Sequence, residues 1–436
     1  MLASTYAANE PEAARVARVD AAPEVSAERR LGLAEALALA ESHSPGLDAA
    51  EADLTASRRR ASAAAGRLGP RADLSVGYTR QSYVEPATLE IPIDIPGVEV
   101  DPIELGDPIE DRWSFRVAIA QPLLGGGGLA NLRASRESVA ALAAARESVT
   151  QDLRLEVTER WLELSAAMAA LEVGEAAHAA VAAHLERVTA RARVGSATVL
   201  ELAEAKAGLA EAEGGRVAAA GRVASARIAL ASVVGLPLDA RIVTDGGGIA
   251  SEVRPGRSPA VVAADASARA ASATARAMTA ALWPRVDLRG GYQYENPNQR
   301  YFPLTDEWND SWDVAVVAAW TLDAGVTWNE SGAARASASS AAASARALDE
   351  TMSRRAAQQD AALRTAEASI VAADGRLTAA QAARDATVMA FNVGAATTDD
   401  VLDREADLAG ARVAVLSAHL ALDVGRARLA HVHGTL

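Results

Sequence analysis

The chain has 436 residues, is half hydrophobic with only 4% aromatics, and carries a formal net charge of −14 at pH 7. That balance argues against nucleic acid as a partner, and the lack of cysteine excludes disulfides, zinc knuckles, thiol nucleophiles and a lipid-modified N-terminal cysteine. About half of the apolar residues are alanine, which buries little area and suits close helix–helix packing better than a thick core.

In chain order, residues 1–30 are an Ala/Glu/Arg/Pro tail without a basic or apolar leader segment, expected to be disordered and either left after signal-peptide removal or the product of a mis-assigned start. No stretch reaches 18 uncharged apolar residues, so no transmembrane helix is expected. Leu31 to Ala40 alternates leucine with Ala and Glu, which favours helix over strand. Ser44-Pro45 opens a further helix that ends at Gly69-Pro70. The period then changes to two: Leu74, Val76 and Tyr78 oppose Asp73, Ser75, Gly77 and Thr79, predicting a strand over about 71–80. Trp113, Phe115, Val117 and Ile119 oppose Ser114, Arg116, Ala118 and Ala120 in a second strand over about 113–121. Between them, 81–112 is an acidic, proline-spaced loop. Gly125–Gly128 lacks the Gly-Lys-Ser/Thr of a phosphate loop and marks a backbone corner. A long helix follows over 129–192, roughly 96 Å at 1.5 Å per residue, with a seam through Val157, Trp161, Leu164, Met168, Leu171, Glu175, His178, Val181, Leu185 and Val188 near the 3.5 period. It turns at Gly195 and returns as a helix over 198–234.

The pattern then recurs. A glycine-rich linker over 236–257 leads to a second copy over 258–434, matching a first copy over 31–235. Arg71–Tyr78 recurs as Arg285–Tyr292 at an offset of 214, and Val194-Gly195-Ser196-Ala197-Thr198 as Val393-Gly394-Ala395-Ala396-Thr397 at 199. The proline pairs Pro45/Pro70 and Pro259/Pro284 are both 25 apart. The second copy is expected to hold strands at about 285–294 and 312–320, a long helix over 330–391 and a return helix over 398–432. A repeat of this size is one fold-sized element duplicated rather than a solenoid of small units.

Strands of 8–10 residues with aromatic ends are about long enough to cross a bilayer when tilted. Four cannot close a membrane barrel, and open strand edges are not tolerated in lipid, so several chains must combine. Eight strands from a dimer nearly fill with side chains, whereas twelve from a trimer leave a pore. The small residues Ser75, Gly77, Ser114, Ala118 and Gly291 on the polar face favour the trimer.

Several motifs carry a family resemblance across residues 31–434: Leu33-x-Glu35-Ala36-Leu37-Ala38-Leu39-Ala40 with Ser44-Pro45, the prolines before the strands, Ala120-Gln121-Pro122-Leu123-Leu124-Gly125-Gly126-Gly127, and the two Val-Gly-x-x-Thr turns. In this order, duplicated, they resemble the TolC-type outer membrane factors. The resemblance implies an α+β membrane protein of a Gram-negative outer membrane: a trimeric 12-stranded transmembrane β-barrel, four strands per chain, continuous with a periplasmic 12-helix α-barrel of coiled-coil helices. It implies no enzyme activity and no cofactor, but a passive exit duct for small molecules in a tripartite efflux pump. The implied partners are a periplasmic adaptor and, through it, an RND or ABC inner-membrane transporter, with outer membrane lipid around the barrel.

The resemblance also implies site residues. The helix–turn–helix tips that touch the adaptor correspond to Val194, Gly195, Ser196 and Thr198, and to Val393, Gly394, Ala395 and Thr397. Asp400 and Asp403 match acids that ring the closed periplasmic aperture, where Glu201 of the first copy lies opposite Ala396. An arginine latch known in some members falls at Ala396 and is therefore absent. The plainer reading of the same residues is local: glycine C-caps, capping boxes Thr198-x-x-Glu201 and Thr397-x-x-Asp400, and acids complementing a helix dipole. The six histidines form no ligand set, and no metal or catalytic site is expected. Two alternatives stand beside efflux: the outer membrane component of type I protein secretion, and a soluble periplasmic coiled-coil scaffold.

Overall fold

The structure, a computed structural model, describes residues 28–85, 87–89, 103–105, 109–245, 256–302, 304–320, 322–323 and 325–436. The tail up to residue 27, much of the acidic loop and the glycine triplet of the linker lie outside them. The first copy contains β1 (Arg29–Leu31), α1 (Leu33–His43), α2 (Pro45–Gly66), β2 (Arg71–Arg80), β3 (Ala87–Leu89), β4 (Ile103–Leu105), β5 (Asp111–Leu124), α3 (Gly128–Arg193), α4 (Val199–Val234) and β6 (Ile242–Thr244). The second contains α5 (Pro259–Ala280), β7 (Arg285–Asn296), β8 (Asn309–Ala319), α6 (Val326–Asn392) and α7 (Thr398–Val432).

Four short strands depart from the sequence reading, and two of them, Ala87–Leu89 and Ile103–Leu105, pair antiparallel within the expected loop. Arg29–Leu31 pairs in parallel with Ile242–Thr244, so Arg29 and Arg30 are not tail and 242–244 is not linker. Three-residue strands show no period, and this pair joins segments some 200 residues apart. Side chains lock it: the Trp161 indole donates to the Leu31 carbonyl at 2.9 Å and Arg227 Nε to the Ile242 carbonyl at 3.0 Å.

The chain forms two compact units, the first from the described parts of 1–40, 160–248 and 377–416, the second from those of 41–159, 249–376 and 417–436. Around the short strand pair, the first unit buries Leu31, Trp161, Leu164, Leu230, Val234 and Ile242. Elsewhere its core is thin and alanine-rich; Ala205 and Ala231 are fully buried and let the helices pack closely. The α3 seam is shifted from expectation. Val181, His184 and Val188 are buried, while Glu175 is exposed and His178 half-buried, so His184 rather than His178 sits on the stripe. Both α4 and α7 are long and apolar enough to cross a membrane if two charges are allowed per 18 residues. Alanine packing between helices produces the same composition.

The second unit holds a four-stranded antiparallel sheet in the order β2-β5-β7-β8. Leu74 pairs with Val117, Val76 with Phe115 and Tyr78 with Trp113; Val117 pairs on with Tyr292, and Tyr292 with Trp312. Strand β5 runs past the expected 121 to Leu124, with a register shift between Pro122 and Leu124 that accommodates the proline's missing N–H. Gly125, Gly126 and Gly127 then all take positive φ (81°, 61° and 73°). A Cβ on Gly125 would collide with the Pro284 carbonyl, so the strand-to-helix corner needs glycine there. The C-terminus folds back within this unit: Arg428 pairs with Glu159 and His431 with Asp152, both at 2.7 Å. His433 Nδ1 lies 3.2 Å from the Gly256 carbonyl.

Candidate functional site

The sheet is inverted relative to a water-soluble one. Leu74, Val76, Val314 and Val316 share one face and are 65–70% exposed, whereas Asp287 and Glu295 on the opposite face are only 9% and 3% exposed. Aromatics flank the apolar face at both ends. Tyr78 and Trp113 pair at one, with ring centroids 4.6 Å apart, and Tyr292 and Trp312 pair in the row of Leu74 and Val117, further into the sheet; Trp283 and Trp320 are exposed at the other end. The outer edges of β2 and β8 have no strand partner among the described residues.

The polar face is more charged than its small residues suggest. Ser75, Gly77, Ser114, Ala118 and Gly291 do lie together on it, but so do Arg112, Arg116 and Arg289. Arg112 donates to Glu295 at 3.3 Å, Arg285 lies 3.3 Å from Asp287, and Arg71 donates to Asp73 at 2.8 Å.

The glycine turns belong to the first unit and are built identically. Gly195 and Gly394 take φ of 77° and 82°. The following amides reach back across the helix end, Ser196 to the Arg191 carbonyl and Ala395 to that of Ala390, each at 2.8 Å. A Cβ at either glycine would meet nothing within 4 Å, so backbone angle alone demands glycine.

Both capping boxes form. The Thr198 amide donates to Glu201 at 2.6 Å and the Glu201 amide to the Thr198 hydroxyl at 3.1 Å; Thr397 and Asp400 repeat this at 2.8 and 3.1 Å. The Thr198 amide and hydroxyl hold the Glu201 carboxyl below its usual range, and the Thr397 hydroxyl and amide do the same to Asp400. Both carboxylates are thus engaged in starting a helix. Asp403 is exposed and, with Asp399, lines a cleft of about 580 Å³ between α3, α4 and α7, where Glu204, Glu211 and Glu405 add further carboxylates. Its walls are close because the small residues admit it: a Cβ on Gly208 would come within 2.7 Å of Leu402. The structure therefore separates Asp403 from Asp400 and Glu201, which do not line that cleft, and brings in Asp399.

Beneath the turns the two copies share a core of Val188, Ala205, Phe391 and Val401, against which Ala197, Leu202 and Ala396 pack. Ala396, the latch position, is thus occupied with packing. His184 packs on this core through Phe391, and Arg384 and Glu405 form an ion pair between α6 and α7; neither role was read from the sequence. His184 is fully buried with its ring 4.9 Å from that of Phe391, and neither ring nitrogen has a hydrogen-bond partner among the described residues. Burial first, then the Arg187 and Arg191 charges, push its pKa from 6.5 down to about 4. Arg384 on α6 pairs at 2.7 Å with Glu405 on α7, whose side chain is 5% exposed. Only the shifted heptad seam at His184 signalled any of this. Exposed Val194, Val199, Leu200 and Val393 project around the turns; Val199 and Leu200 were also not singled out from sequence. No group of three or more metal-ligating side chains occurs among the described residues.

A model of the outer membrane efflux protein family matches residues 36–236 and 255–435, covering each copy in turn. No curated protein matches the sequence. Among solved structures, VceC from Vibrio cholerae superposes with a TM-score of 0.77 at 20% identity, covering 92% of this chain and 96% of its own. The open-state MtrE channel of Neisseria gonorrhoeae gives 0.74 at 18% identity over 92% and 88%. The CmeC channel of Campylobacter jejuni gives 0.74 at 14% over 93% and 86%. With both copies matched by the family, the chain belongs to the outer membrane efflux proteins, passive outer membrane exit ducts for tripartite efflux rather than enzymes.

Proposed function

We propose that three copies close their sheets into one 12-stranded barrel, continuous with a 12-helix periplasmic tunnel, through which small molecules leave the cell. The inverted sheet carries this reading: large apolar side chains stand in the open while two carboxylates are nearly buried, and two strand edges lack partners. In lipid, those edges require further strands, and the neighbouring copies supply them. Twelve strands leave a lumen, whereas eight nearly fill.

The helical end takes the partner role. Val194, Gly195, Ser196 and Thr198, with Val393, Gly394, Ala395 and Thr397, form the surface offered to an adaptor's helical hairpin; exposed valines around two narrow turns favour close approach. Asp403 and Asp400, with Glu201 of the first copy, line the aperture, Asp403 as the freest carboxylate. The adaptor then links the duct to an RND or ABC transporter in the inner membrane.

Mass measurement of the purified protein in mild detergent tests the assembly. Three chains are expected; a monomer or a dimer refutes the twelve-strand barrel.

A further inference from the structure

A second cleft, of about 420 Å³, lies on the polar face of the sheet. Its floor is made of small residues, Ala118 and Gly291 among them, and its walls carry the guanidinium groups of Arg116, Arg289 and Arg300, each about half exposed. Among the described residues, none of the three is matched to a carboxylate at bonding distance. Arg116 lies 3.6 Å from Glu295, Arg289 lies 3.6 Å from Asp287, and Arg300 lies 3.7 Å from Asp313, all beyond a good N–H···O bond. For Arg116 and Arg289 the reason is competition: Arg112 and Arg285 already sit at 3.3 Å from Glu295 and Asp287. Two buried carboxylates thus serve four arginines. Arg116 spends one donor on Gln293 at 2.7 Å, and Arg300 spends one on the Trp312 carbonyl at 2.8 Å. A guanidinium has five N–H donors, so most remain free.

We propose that these three arginines form an anion-binding site in the duct, taking the carboxylate, sulfonate or phosphate groups of molecules on their way out. Planar guanidinium groups bind such groups in bidentate fashion. Ala118 and Ala120 add little bulk to the floor, and the Asp313 carboxylate, which stands over Gly291 beside Arg300, occupies one side of the cleft. That the ligand arrives from the lumen rests on the barrel reading above; the cleft itself is formed by a single chain.

Citrate serves as the probe, first by titration calorimetry on the detergent-solubilised protein. The triple variant R116Q/R289Q/R300Q should bind at least tenfold more weakly than wild type. Arg71→Gln removes one charge from the same face outside the cleft and should change affinity less than twofold. No binding by wild type, or equal weakening by Arg71→Gln, overturns the site, the latter because it points to diffuse charge. Single-channel recording then tests its position. Citrate should block wild-type current, with relief in the triple variant. Binding without block refutes the lumenal placement, including capture of a lipid phosphate on the outside, whereas absence of channels refutes the duct and leaves the calorimetric result standing.

Discussion

His184 makes the tip sensitive to acid in a way that can be calculated. The ring is buried against Phe391 with both nitrogens unpartnered, and its pKa falls from 6.5 to about 4. A histidine held neutral contributes stability that is complete above its ordinary value and is lost as pH falls from 6.5 toward 4. Across that window the loss reaches at most about 3 kcal/mol per chain. The cations facing it, Arg187 and Arg191, oppose protonation and steepen the effect. His184→Leu keeps the volume and removes the titration. Thermal unfolding in mild detergent, followed by helix ellipticity at pH 7, 6, 5 and 4, should show wild type losing roughly a few degrees more than the variant at the acid end. His184→Gln separates polarity from charge: a lower baseline with the same flattened pH response. If the wild-type and His184→Leu curves run parallel from pH 7 to 4, the ring is not held neutral by burial and the account of this core fails.

Three further outcomes follow from the geometry. Val316→Arg places a charge on the exposed apolar face, where a site at the bilayer midplane costs about 2–4 kcal/mol, so the variant should not float with outer membranes while Ala315→Gln on the other face does; normal flotation of both would contradict the orientation of the sheet. Gly195→Ala and Gly394→Ala should each destabilise their turn by about 1–2 kcal/mol through the left-handed backbone alone, read as faster amide exchange around the turns, with unchanged exchange as the contrary result. Asp403→Ala with Asp400→Ala should raise single-channel conductance, and Asp400→Ala alone should chiefly loosen the start of α7; an unchanged conductance in the double variant removes the aperture assignment.

The features readable in advance act over a few residues. A left-handed glycine, and a threonine followed three residues later by an acid, complete their hydrogen bonds within one turn of chain, so Gly195 with Thr198–Glu201 and Gly394 with Thr397–Asp400 were visible as text. The two-residue period of the strands was visible for the same reason. What stayed hidden joins distant segments. The pairing of Arg29–Leu31 with Ile242–Thr244 leaves no period, and the packing of Ala396 on the core under the turns depends on where helices of both copies meet. His184 was hidden differently: a seam traced through His178 and Leu185 fits the sequence nearly as well, and only helix–helix packing chooses the neighbouring stripe. Which of several acids caps a helix and which lines a cleft is likewise decided by side-chain direction, as Asp400 and Asp403 show.

Each half of the molecule begins where it finishes. Arg29 lies beside Ile242, and Gly256 against His433, so both halves are self-closed loops of chain. Such a piece can be copied in tandem and joined by a short connector without disturbing either partner. The same property invites a present-day experiment: polypeptides 1–245 and 256–436, synthesised separately, should find each other and rebuild the whole.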